Sequence, residues 1–248
     1  MKISIITATF NSENSLKETL NSLFNQDYNN IESIIIDGNS TDSTLGIVER
    51  FHNKSKNIKL ISEPDDGIYD ALNKGLALAT GDLIGFVHSD DLLASSEVIS
   101  ELVSEIQNEN LDGVYGDLQY VDKENTNKII RFWKSCEFKP NLLREGWMPP
   151  HPTLFLKKEV YEKYGLFDLS FNISADYDFM LRVLNDSQLK FGYLPKVITK
   201  MRVGGTSNRS LENIIKKTRE DYRAIKINKI GNFLTLIRKN TSKLKQFF

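Results

Sequence analysis

Two adjacent carboxyl groups, Asp90 and Asp91, stand with Ser89 directly after the apolar run 83–87. A run of this length and composition is typical of a strand buried on both faces, and open α/β sheets bind ligands at the carboxyl ends of such strands. Adjacent carboxylates favour a site in which one holds a divalent cation and the other faces a polar ligand. The alternative is a solvated turn that caps the next helix, because Ser and Asp are good N-caps.

The spacing of apolar residues predicts the elements that would position this acidic stretch. Four strands are predicted, over residues 3–8, 31–36, 58–61 and 83–87. Amphipathic helices separate them, since the apolar residues in between recur three or four positions apart. This alternation predicts an α/β fold with a Rossmann-like, doubly wound and mostly parallel sheet. Polar loops follow the strands at residues 10–12, 37–42, 63–67 and 89–91, and we expect them to meet at one edge of the sheet.

The second half of the chain has a different pattern. A helix at 98–106 is followed by two strands, 114–119 and 128–133, whose polar connection is typical of an antiparallel or mixed addition to the sheet. Residues 142–152 include three prolines and are expected to form a mobile loop over the site. A short strand is predicted over 153–156, helices over 159–164 and 175–184, and a strand and a return within 189–203.

The composition excludes several classes of protein. With 248 residues, 40% of them hydrophobic and 26% charged, the chain is typical of a globular protein rather than a disordered or fibrous one. Its single cysteine, Cys136, excludes an intramolecular disulfide framework and a cysteine-rich metal site. Neither G-x-G-x-x-G after the first strand nor G-x-x-x-x-G-K-[ST] is present, which disfavours dinucleotide and P-loop sites. No apolar run reaches the ~18 to 20 residues of a membrane span, so a cytoplasmic protein is expected.

Charge is unevenly distributed along the chain. Residues 208–248 contain eleven Lys or Arg and three Asp or Glu, a net charge of about +8, whereas residues 1–207 carry about −9. Apolar residues at helical spacing predict two helices in this basic tail, and the first is expected to dock on the body. For the second we expect contact with anionic lipid at the inner face of the cell membrane, through Arg238, Lys239, Lys243 and Lys245. Nucleic acid is not expected as a partner, because the basic patch lacks interleaved aromatic residues.

Five motifs in a fixed order carry a family resemblance. They are IITATFN at 5–11, IDGNSTDST at 36–44, EPDDGIYDALNKG at 63–75, SDD at 89–91 and ADYD at 175–178. With these motifs the sequence resembles the inverting family 2 glycosyltransferases of fold type A, especially bacterial capsule and exopolysaccharide enzymes. The resemblance extends from about residue 2 to 207. It implies a catalytic domain at 1–207, with a nucleotide-sugar-binding part at 1–118 and an acceptor-binding part at 119–207, followed by the helical tail at 208–248.

The resemblance also implies a set of donor-binding residues. These are Ala8, Thr9, Phe10, Asn11, Asp37, Asp66, Asn73, Lys74, Ser89 and Asp90. The ring of Phe10 would stack on the nucleotide base, since a flat ring suits a flat partner. Asp37 would lie near base and ribose, although Gly38 stands where some relatives have a second acid. Ser40 and Asp42 could equally cap the following helix, and Lys74 is as compatible with a solvated helix lysine as with a phosphate contact.

The resemblance assigns metal binding to the SDD motif and acceptor activation to the ADYD motif. SDD matches the D-x-D position of the family, with Asp91 as the implied ligand of Mg²⁺ or Mn²⁺ and Asp90 on the ribose side. The cation would offset the repulsion between these acids and the diphosphate of the donor. Asp176 matches the position of the general base, and Asp178 is the second choice. His151 matches a position close to the acceptor, whereas His88 could contact phosphate or simply pack.

Taken together, these features predict an inverting, metal-dependent glycosyltransferase. It would move one sugar from a nucleotide diphosphate sugar to a glycan or lipid-linked acceptor in bacterial surface polysaccharide synthesis. Two alternatives are a catalytically silent scaffold subunit of a polysaccharide assembly complex and a sugar nucleotidyltransferase. The second would require a Gly-rich basic loop after the first strand, which residues 7–11 do not supply. The absence of Q-x-x-R-W and of membrane spans disfavours a processive synthase.

Overall fold

The computed structural model of the chain describes residues 1–53, 57–204 and 211–242. The predicted domain boundary at 207 lies outside the described residues, as do the tail residues Lys243 and Lys245. Within the described ranges, no helix is both long and apolar enough to cross a membrane.

The first seven elements follow the predicted alternation closely. They are β1 (Ile3–Thr9), α1 (Leu16–Phe24), β2 (Ile31–Asp37), α2 (Thr44–His52), β3 (Ile58–Ser62), α3 (Ile68–Leu78) and β4 (Leu83–Phe86). Each β-strand begins within one residue of its expected start. The polar loops therefore follow the strands as predicted.

The remaining elements include one strand that was not predicted. They are β5 (Asp91–Leu93), α4 (Val98–Glu109), β6 (Gly113–Val121), β7 (Ile129–Trp133), α5 (Asn141–Arg144), a 3-10 turn (His151–Thr153), β8 (Phe155–Lys157), α6 (Lys158–Tyr164), α7 (Ala175–Leu184), β9 (Phe191–Arg202), α8 (Leu211–Ile227) and α9 (Phe233–Ser242). The unpredicted strand is β5, which begins at Asp91 and is too short to show a periodic pattern.

The described strands form one mixed sheet in the order β3-β2-β1-β4-β8-β6-β9-β5, with β7 also paired to β6. The pairings among β1, β2, β3 and β4 are parallel, as predicted. Beyond β4 the pairings β4–β8, β8–β6, β6–β7 and β9–β5 are antiparallel, whereas β6 and β9 run parallel. The carboxyl ends of the first four strands consequently lie at one edge, where open α/β sheets bind ligands.

Helices cover both faces of the sheet. Side chains of β1 alternate between the two sides: Ile3 and Ile5 pack with α1, α2 and α4, whereas Ile6 and Ala8 pack with α3 and α7. Strands buried on both faces require apolar residues at nearly every position, which explains the continuous apolar runs of the sequence. The architecture is a three-layer α/β fold that fixes the orientation of each loop at the edge.

The segment 142–152 is packed rather than open. Leu143 is 2% exposed, Pro149 and Pro150 are buried, and the Trp147 ring lies 5.8 Å from that of Tyr115 between ring centroids. Opening this segment would expose apolar surface, which is unfavourable. The burial argues against the mobile loop that the sequence predicts here.

The basic tail docks on the rest of the protein through both of its helices. α8 packs against α7, and α9 packs against α8. Lys239 is 2% exposed; its ammonium group lies 2.7 Å from the carboxylate of Asp221 and 3.2 Å from the ring centroid of Tyr177. Gly146 has φ +76°, and an added Cβ there would lie 2.6 Å from the backbone nitrogen of Lys239. The prediction that Lys239 contacts lipid is therefore wrong.

The buried pair makes α9 part of the folded unit, and Lys239→Ala is expected to lower the free energy of unfolding by about 3 kcal/mol or more. The reason is that Asp221 would keep a buried charge without its partner. Urea denaturation followed by circular dichroism measures the change. Arg238→Ala, on the exposed side of the same helix, is the control and should change stability by less than about 0.5 kcal/mol. A loss below about 1 kcal/mol in Lys239→Ala would contradict the assigned role.

Candidate active site

The loops after β1 and β2 are tied to each other by hydrogen bonds. The backbone N–H of Asn11, a residue with φ +46°, donates to the Ser40 hydroxyl over 2.8 Å. The Asn11 side chain in turn accepts from the N–H of Thr41 over 2.9 Å. Asp42 accepts from the N–H groups of Glu13 and Thr44, so it links the loops and caps α2. The capping alternative for Asp42 is confirmed.

Asp37 is fully buried and all its hydrogen bonds are internal. Its carboxylate accepts from the N–H and hydroxyl of Ser40 and from the hydroxyl of Ser62, the latter over 2.7 Å. These bonds join the ends of β2 and β3. These bonds show that Asp37 shapes the loops after β2 and β3.

A different acid, Asp65, lies next to Phe10. Phe10 is 62% exposed at the end of β1, and a Cβ on Gly38 would come within 2.6 Å of an Asp65 carboxylate oxygen and 3.4 Å of the Phe10 ring. Asp65 therefore occupies the space that a side chain at position 38 would need. A side chain at position 38 would therefore require Asp65 to move. Sequence reasoning missed Asp65, because only the fold brings it next to Phe10.

Three predicted donor-binding residues surround the turn between β3 and α3. Lys74 donates to the Pro64 carbonyl over 3.0 Å and pairs with Glu63 at 2.9 Å and Asp70 at 3.2 Å. Both ends of the Asn73 amide bond the backbone of Phe167, at 2.9 and 3.0 Å. The side chains of Lys74 and Asn73 thus hold the loops together. Asp66, by contrast, is exposed at the turn.

The turn at residues 89–91 is held by hydrogen bonds from two sides. The Ser89 and Ser12 hydroxyls lie 2.9 Å apart, and the Thr19 hydroxyl donates to the Ser89 carbonyl over 3.0 Å. Arg202, only 6% exposed at the end of β9, donates to the Asp90 carbonyl over 2.6 Å and pairs with Glu18 of α1. Arg202 positions the turn through the Asp90 backbone, and its charge also favours the ionised form of Asp91. No sequence motif indicated this residue.

Asp91 is the strongest indication of a ligand. It is fully buried at the start of β5, and neither of its side-chain oxygens has a hydrogen-bond partner among the described residues. Burial above all, and then the charge of Asp90, raise the pKa of Asp91 well above its usual range, although Arg202 opposes them. A buried carboxylate without a partner is unfavourable. The side chain therefore fits a function in which a cation joins it.

The donor set near Asp91 fits a cation shared with a ligand. In the described part of the chain, no group of three or more His, Cys, Asp or Glu residues could hold a metal ion. Mg²⁺ needs no such cage, since it commonly binds one or two carboxylates together with substrate phosphates and water. Two hydroxyls of β1, those of Thr7 and Thr9, are also buried without a partner within the described chain. They add hydrogen-bonding capacity at the same edge of the sheet.

Two histidines line the space beyond β4. The rings of His88 and His151 lie 6.4 Å apart between centroids, and that of His151 lies 5.4 Å from Phe86 and 5.8 Å from Phe167. Burial lowers the pKa of His151 to about 4, against the charge of Asp176. It also lowers the pKa of His88, against Asp90 and Asp176. His151 is therefore a neutral imidazole near pH 7, suited to hydrogen bonding.

Asp176 lies in the first turn of α7 and is partly exposed. The Tyr69 hydroxyl is 3.0 Å from its carboxylate and 2.6 Å from the Ile173 carbonyl. Burial and the charge of Asp176 raise the pKa of Tyr69 well above its ordinary value, so the phenol stays protonated as a donor. The Asp176 carboxylate is thus oriented by the Tyr69 hydroxyl and remains partly exposed.

Asp178, the second choice for a base, has a different environment. It is 3% exposed, accepts from the Asn228 amide over 2.8 Å and pairs with Arg182 at 3.0 Å. These contacts join α7 to the end of α8. The structure therefore separates the two acids of the ADYD motif, with Asp176 towards the site and Asp178 towards the tail.

Two cavities lie elsewhere in the described structure. One, of about 410 Å³, is lined by residues including Asp82 and Lys158, and another, of about 370 Å³, by Glu32 and Lys59. Both are at the amino ends of the parallel strands. The candidate site is defined instead by its buried and convergent polar groups.

Comparisons with known proteins agree with this geometry. The sequence profile described as Glycosyl transferase family 2 matches residues 4–165. The chain is 30% identical over 208 residues to the PGL/p-HBAD biosynthesis glycosyltransferase of Mycobacterium bovis, covering 83% of this chain and 78% of that protein.

Two solved structures share the fold. TarS of S. aureus in complex with UDP-GlcNAc has a TM-score of 0.71 at 21% identity, covering 92% of this chain and 65% of that one. Mannosyltransferase PcManGT of Pyrobaculum calidifontis, in complex with GDP-Man and Mn²⁺, has a TM-score of 0.67 at 20% identity, covering 90% and 63%. The chain thus spans slightly less than two thirds of either protein.

The neutral state of His151 makes stability depend on pH. Its pKa is about 4 in the fold and about 6.5 when unfolded, so the unfolded state binds the proton first as pH falls. Stability should be unaffected by this group above pH ~6.5 and should decline by up to about 3 kcal/mol as pH falls to 4. Urea denaturation at pH 7.5, 6 and 5 measures the decline.

His151→Gln is expected to remove that part of the acid sensitivity, since glutamine does not titrate. His52→Gln, at the exposed end of α2, serves as the control and should leave the pH dependence unchanged. Equal pH profiles for the parent protein and His151→Gln would contradict the buried neutral state.

Proposed function

The chain belongs to glycosyl transferase family 2, and from this premise we propose that it transfers one sugar from a nucleotide diphosphate sugar to an acceptor hydroxyl with inversion at the anomeric carbon. The observation that carries the proposal is the pair of unlike carboxylates at one sheet edge. Asp91 is buried without a partner, while Asp176 is partly exposed and oriented by Tyr69. Asp91 is suited to binding a cation, and Asp176 is suited to accepting a proton.

Asp91 is the proposed ligand of Mg²⁺ or Mn²⁺, together with the diphosphate of the donor. The cation would stabilise the negative charge that develops on the leaving nucleoside diphosphate. Ser89 and Asp90 contribute by the shape of the turn that Ser12, Thr19 and Arg202 maintain. Asp90 is placed on the ribose side of the diphosphate in this proposal.

Asp176 is the proposed general base. The acceptor oxygen forms a bond to the anomeric carbon as the bond from that carbon to the diphosphate oxygen breaks, and the acceptor proton passes to Asp176. A positioned base of this kind contributes ~10²–10⁴-fold to the rate. His151, neutral and close to the same space, is proposed to hydrogen-bond the reacting sugar or the acceptor.

The nucleoside is proposed to bind over the ends of β1 and β2. The exposed ring of Phe10 is available for stacking on a base, with Asp65 beside it as a hydrogen-bond acceptor. The unpartnered hydroxyl of Thr9 and the exposed Asp66 complete the proposed donor contacts. The UDP-GlcNAc and GDP-Man complexes of the two structural neighbours support a nucleotide diphosphate sugar as donor.

The acceptor is proposed to bind over the β6–β7 hairpin, in the 119–207 part of the chain. The strand register aligns Asp91, Met201, Tyr120 and Arg131 in one row across β5, β9, β6 and β7. Neighbouring strands are ~4.8 Å apart, so Tyr120 lies about 10 Å from Asp91. The Arg131 guanidinium lies 4.6 Å from the centroid of the Tyr120 ring, which supports a flat surface suited to a sugar ring.

A glycan or lipid-linked acceptor of a bacterial surface polysaccharide is the proposed acceptor class. The Mycobacterium bovis relative is named for PGL/p-HBAD biosynthesis, which supports an acceptor that is itself a product of biosynthesis. A peripheral membrane contact would suit such an acceptor. The exposed side of α9 supports this contact, because Phe233, Leu234 and Ile237 are 58%, 59% and 43% exposed next to the exposed Arg238.

Substitution of the two acids should separate donor binding from transfer. Asp91→Asn is expected to abolish Mn²⁺-dependent binding of the donor, because an amide lacks the charge that holds the cation. Asp176→Asn should retain donor binding within about twofold and lose transfer by about 10²–10⁴-fold. Calorimetry with a panel of UDP, GDP and dTDP sugars, with and without Mn²⁺, identifies the donor. Release of the nucleoside diphosphate then measures turnover.

Glu109→Gln, an exposed change at the end of α4, is the control for both variants. Loss of donor binding in Asp91→Asn and Asp176→Asn alike would contradict the division of roles. If no nucleotide sugar bound to the parent protein in a metal-dependent way, the proposed activity itself would be wrong.

Membrane contact is tested by substitutions on the exposed face of α9, because deletion of the helix would also remove the buried Lys239. Leu234→Gln with Ile237→Gln should weaken sedimentation with phosphatidylglycerol vesicles by about tenfold, since less apolar surface enters the interface. Phosphatidylcholine vesicles test the charge contribution, and Asn240→Ala is the control variant. Equal vesicle binding by parent and double variant would exclude this face as the contact.

A further inference from the structure

The amino end of α7 is capped by a residue from the tail. The carboxylate of Glu220, in α8, accepts the backbone N–H groups of Asn172, Ile173 and Ser174 at 3.1, 2.8 and 3.0 Å. These are the last three residues before α7, and Asp176 is the second residue of that helix. Ser174, at the cap position, makes no side-chain capping bond. Glu220 performs that function from another helix.

The hydrogen bonds of Glu220 lead directly to Asp176. Glu220 accepts the peptide N–H of Ile173. The carbonyl of Ile173 lies 2.6 Å from the Tyr69 hydroxyl oxygen and shares the single hydroxyl proton with the Asp176 carboxylate. The same hydroxyl lies 3.0 Å from the Asp176 carboxylate. One loop peptide and one phenol therefore connect the tail to the side chain proposed as the base.

The environment of Glu220 makes these bonds strong. The residue is 8% exposed, and hydrogen bonds from N–H groups to an ionised acceptor are about twice as strong as neutral ones. A negative charge at the amino end of α7 also interacts favourably with the helix dipole. Around it, Arg223 donates to the hydroxyl of Ser170 over 2.8 Å, and the Arg223 guanidinium lies 4.5 Å from the ring centroid of Phe171. The loop before α7 is thus held by α8 along its length.

We propose that Glu220 is a positioning residue for Asp176, so that α8 of the tail belongs to the catalytic apparatus. The inference rests on the proposed role of Asp176 as base. It adds that the orientation of this base depends on a helix outside the residues matched by the family profile, which end at 165. The donor contacts at β1, β2 and β5 lie on other elements and do not depend on Glu220.

The test compares kcat and the donor KM in Glu220→Ala and Glu220→Gln. Glu220→Ala leaves three N–H groups without their acceptor, and kcat should fall by about 10- to 100-fold, since small displacements of a catalytic group have effects of this size. The donor KM should stay within about twofold. Glu220→Gln keeps one acceptor oxygen and should recover part of kcat. Glu212→Gln, an exposed change on the same helix, is the control.

Hydrogen exchange gives a readout that does not depend on substrate. The amides of Asn172, Ile173 and Ser174 should exchange faster in Glu220→Ala than in the parent, with Glu220→Gln intermediate. Thermal unfolding of each variant shows whether the protein is folded, and Glu220→Gln preserves the test should Glu220→Ala not fold.

Three results would overturn the inference. One is a kcat of Glu220→Ala within twofold of the parent while Asp176→Asn is inactive, which leaves the proposed function intact. Another is a parallel loss of donor binding and kcat, the sign of a general structural effect. The third is full turnover in Asp176→Asn, which would remove Asp176 as the base, and with it this inference, while the transferase activity itself would stand.

Discussion

The buried charge of Asp91 is the constraint on which the arrangement of the site depends. Its two oxygens have no partner within the described residues, and the nearest cation, Arg202, is engaged with the Asp90 carbonyl and with Glu18. A carboxylate in that position is costly to ionise in the ligand-free protein. Binding of a cation with a diphosphate would relieve this cost. The proposed donor is therefore favoured by the electrostatics of the fold as well as by direct contacts.

The sequence pattern predicts the first half of the fold well because β1, β2 and β4 are almost entirely buried. Residues such as Ile5 and Ile6 face opposite cores, so an apolar run is the only sequence that fits. β5 could not be predicted, because its three residues form a strand only by pairing with β9, more than one hundred residues later. That pairing is what turns Asp91 from a residue of a solvated turn into a buried one.

The candidate site was predicted as a set of positions, whereas the roles of several residues depend on partners that a sequence does not show. Asp37 and Asn73 match the motifs, yet their side chains bond Ser40, Ser62 and the Phe167 backbone. Asp65 was not singled out, yet it lies beside Phe10. Residue type and spacing indicate which loops meet. They do not reveal which of two neighbouring acids faces the ligand.

The contacts of the basic tail could not be predicted from its sequence either. A helix rich in Lys and Arg is typical of a solvated or membrane-facing surface, and Arg238 fits that pattern. Lys239, its neighbour, is instead buried in an ion pair with Asp221. Glu220 is buried where it accepts hydrogen bonds from the loop before α7. Charged residues of the tail thus bond the body on one side while the apolar residues of α9 face outward. Net charge alone predicts neither arrangement.

The late position of Arg202 in the sequence determines the order in which parts of the fold can form during synthesis. The turn that carries Asp90 and Asp91 leaves the ribosome more than one hundred residues before the arginine that fastens it and the strand that pairs with β5. Domains form as the chain emerges from its amino end, and long-range pairings form late. The nascent chain would therefore acquire its parallel strands early and the turn with Asp90 and Asp91 almost last. A chain interrupted before β9 would lack both the strand partner of β5 and the arginine that holds this turn.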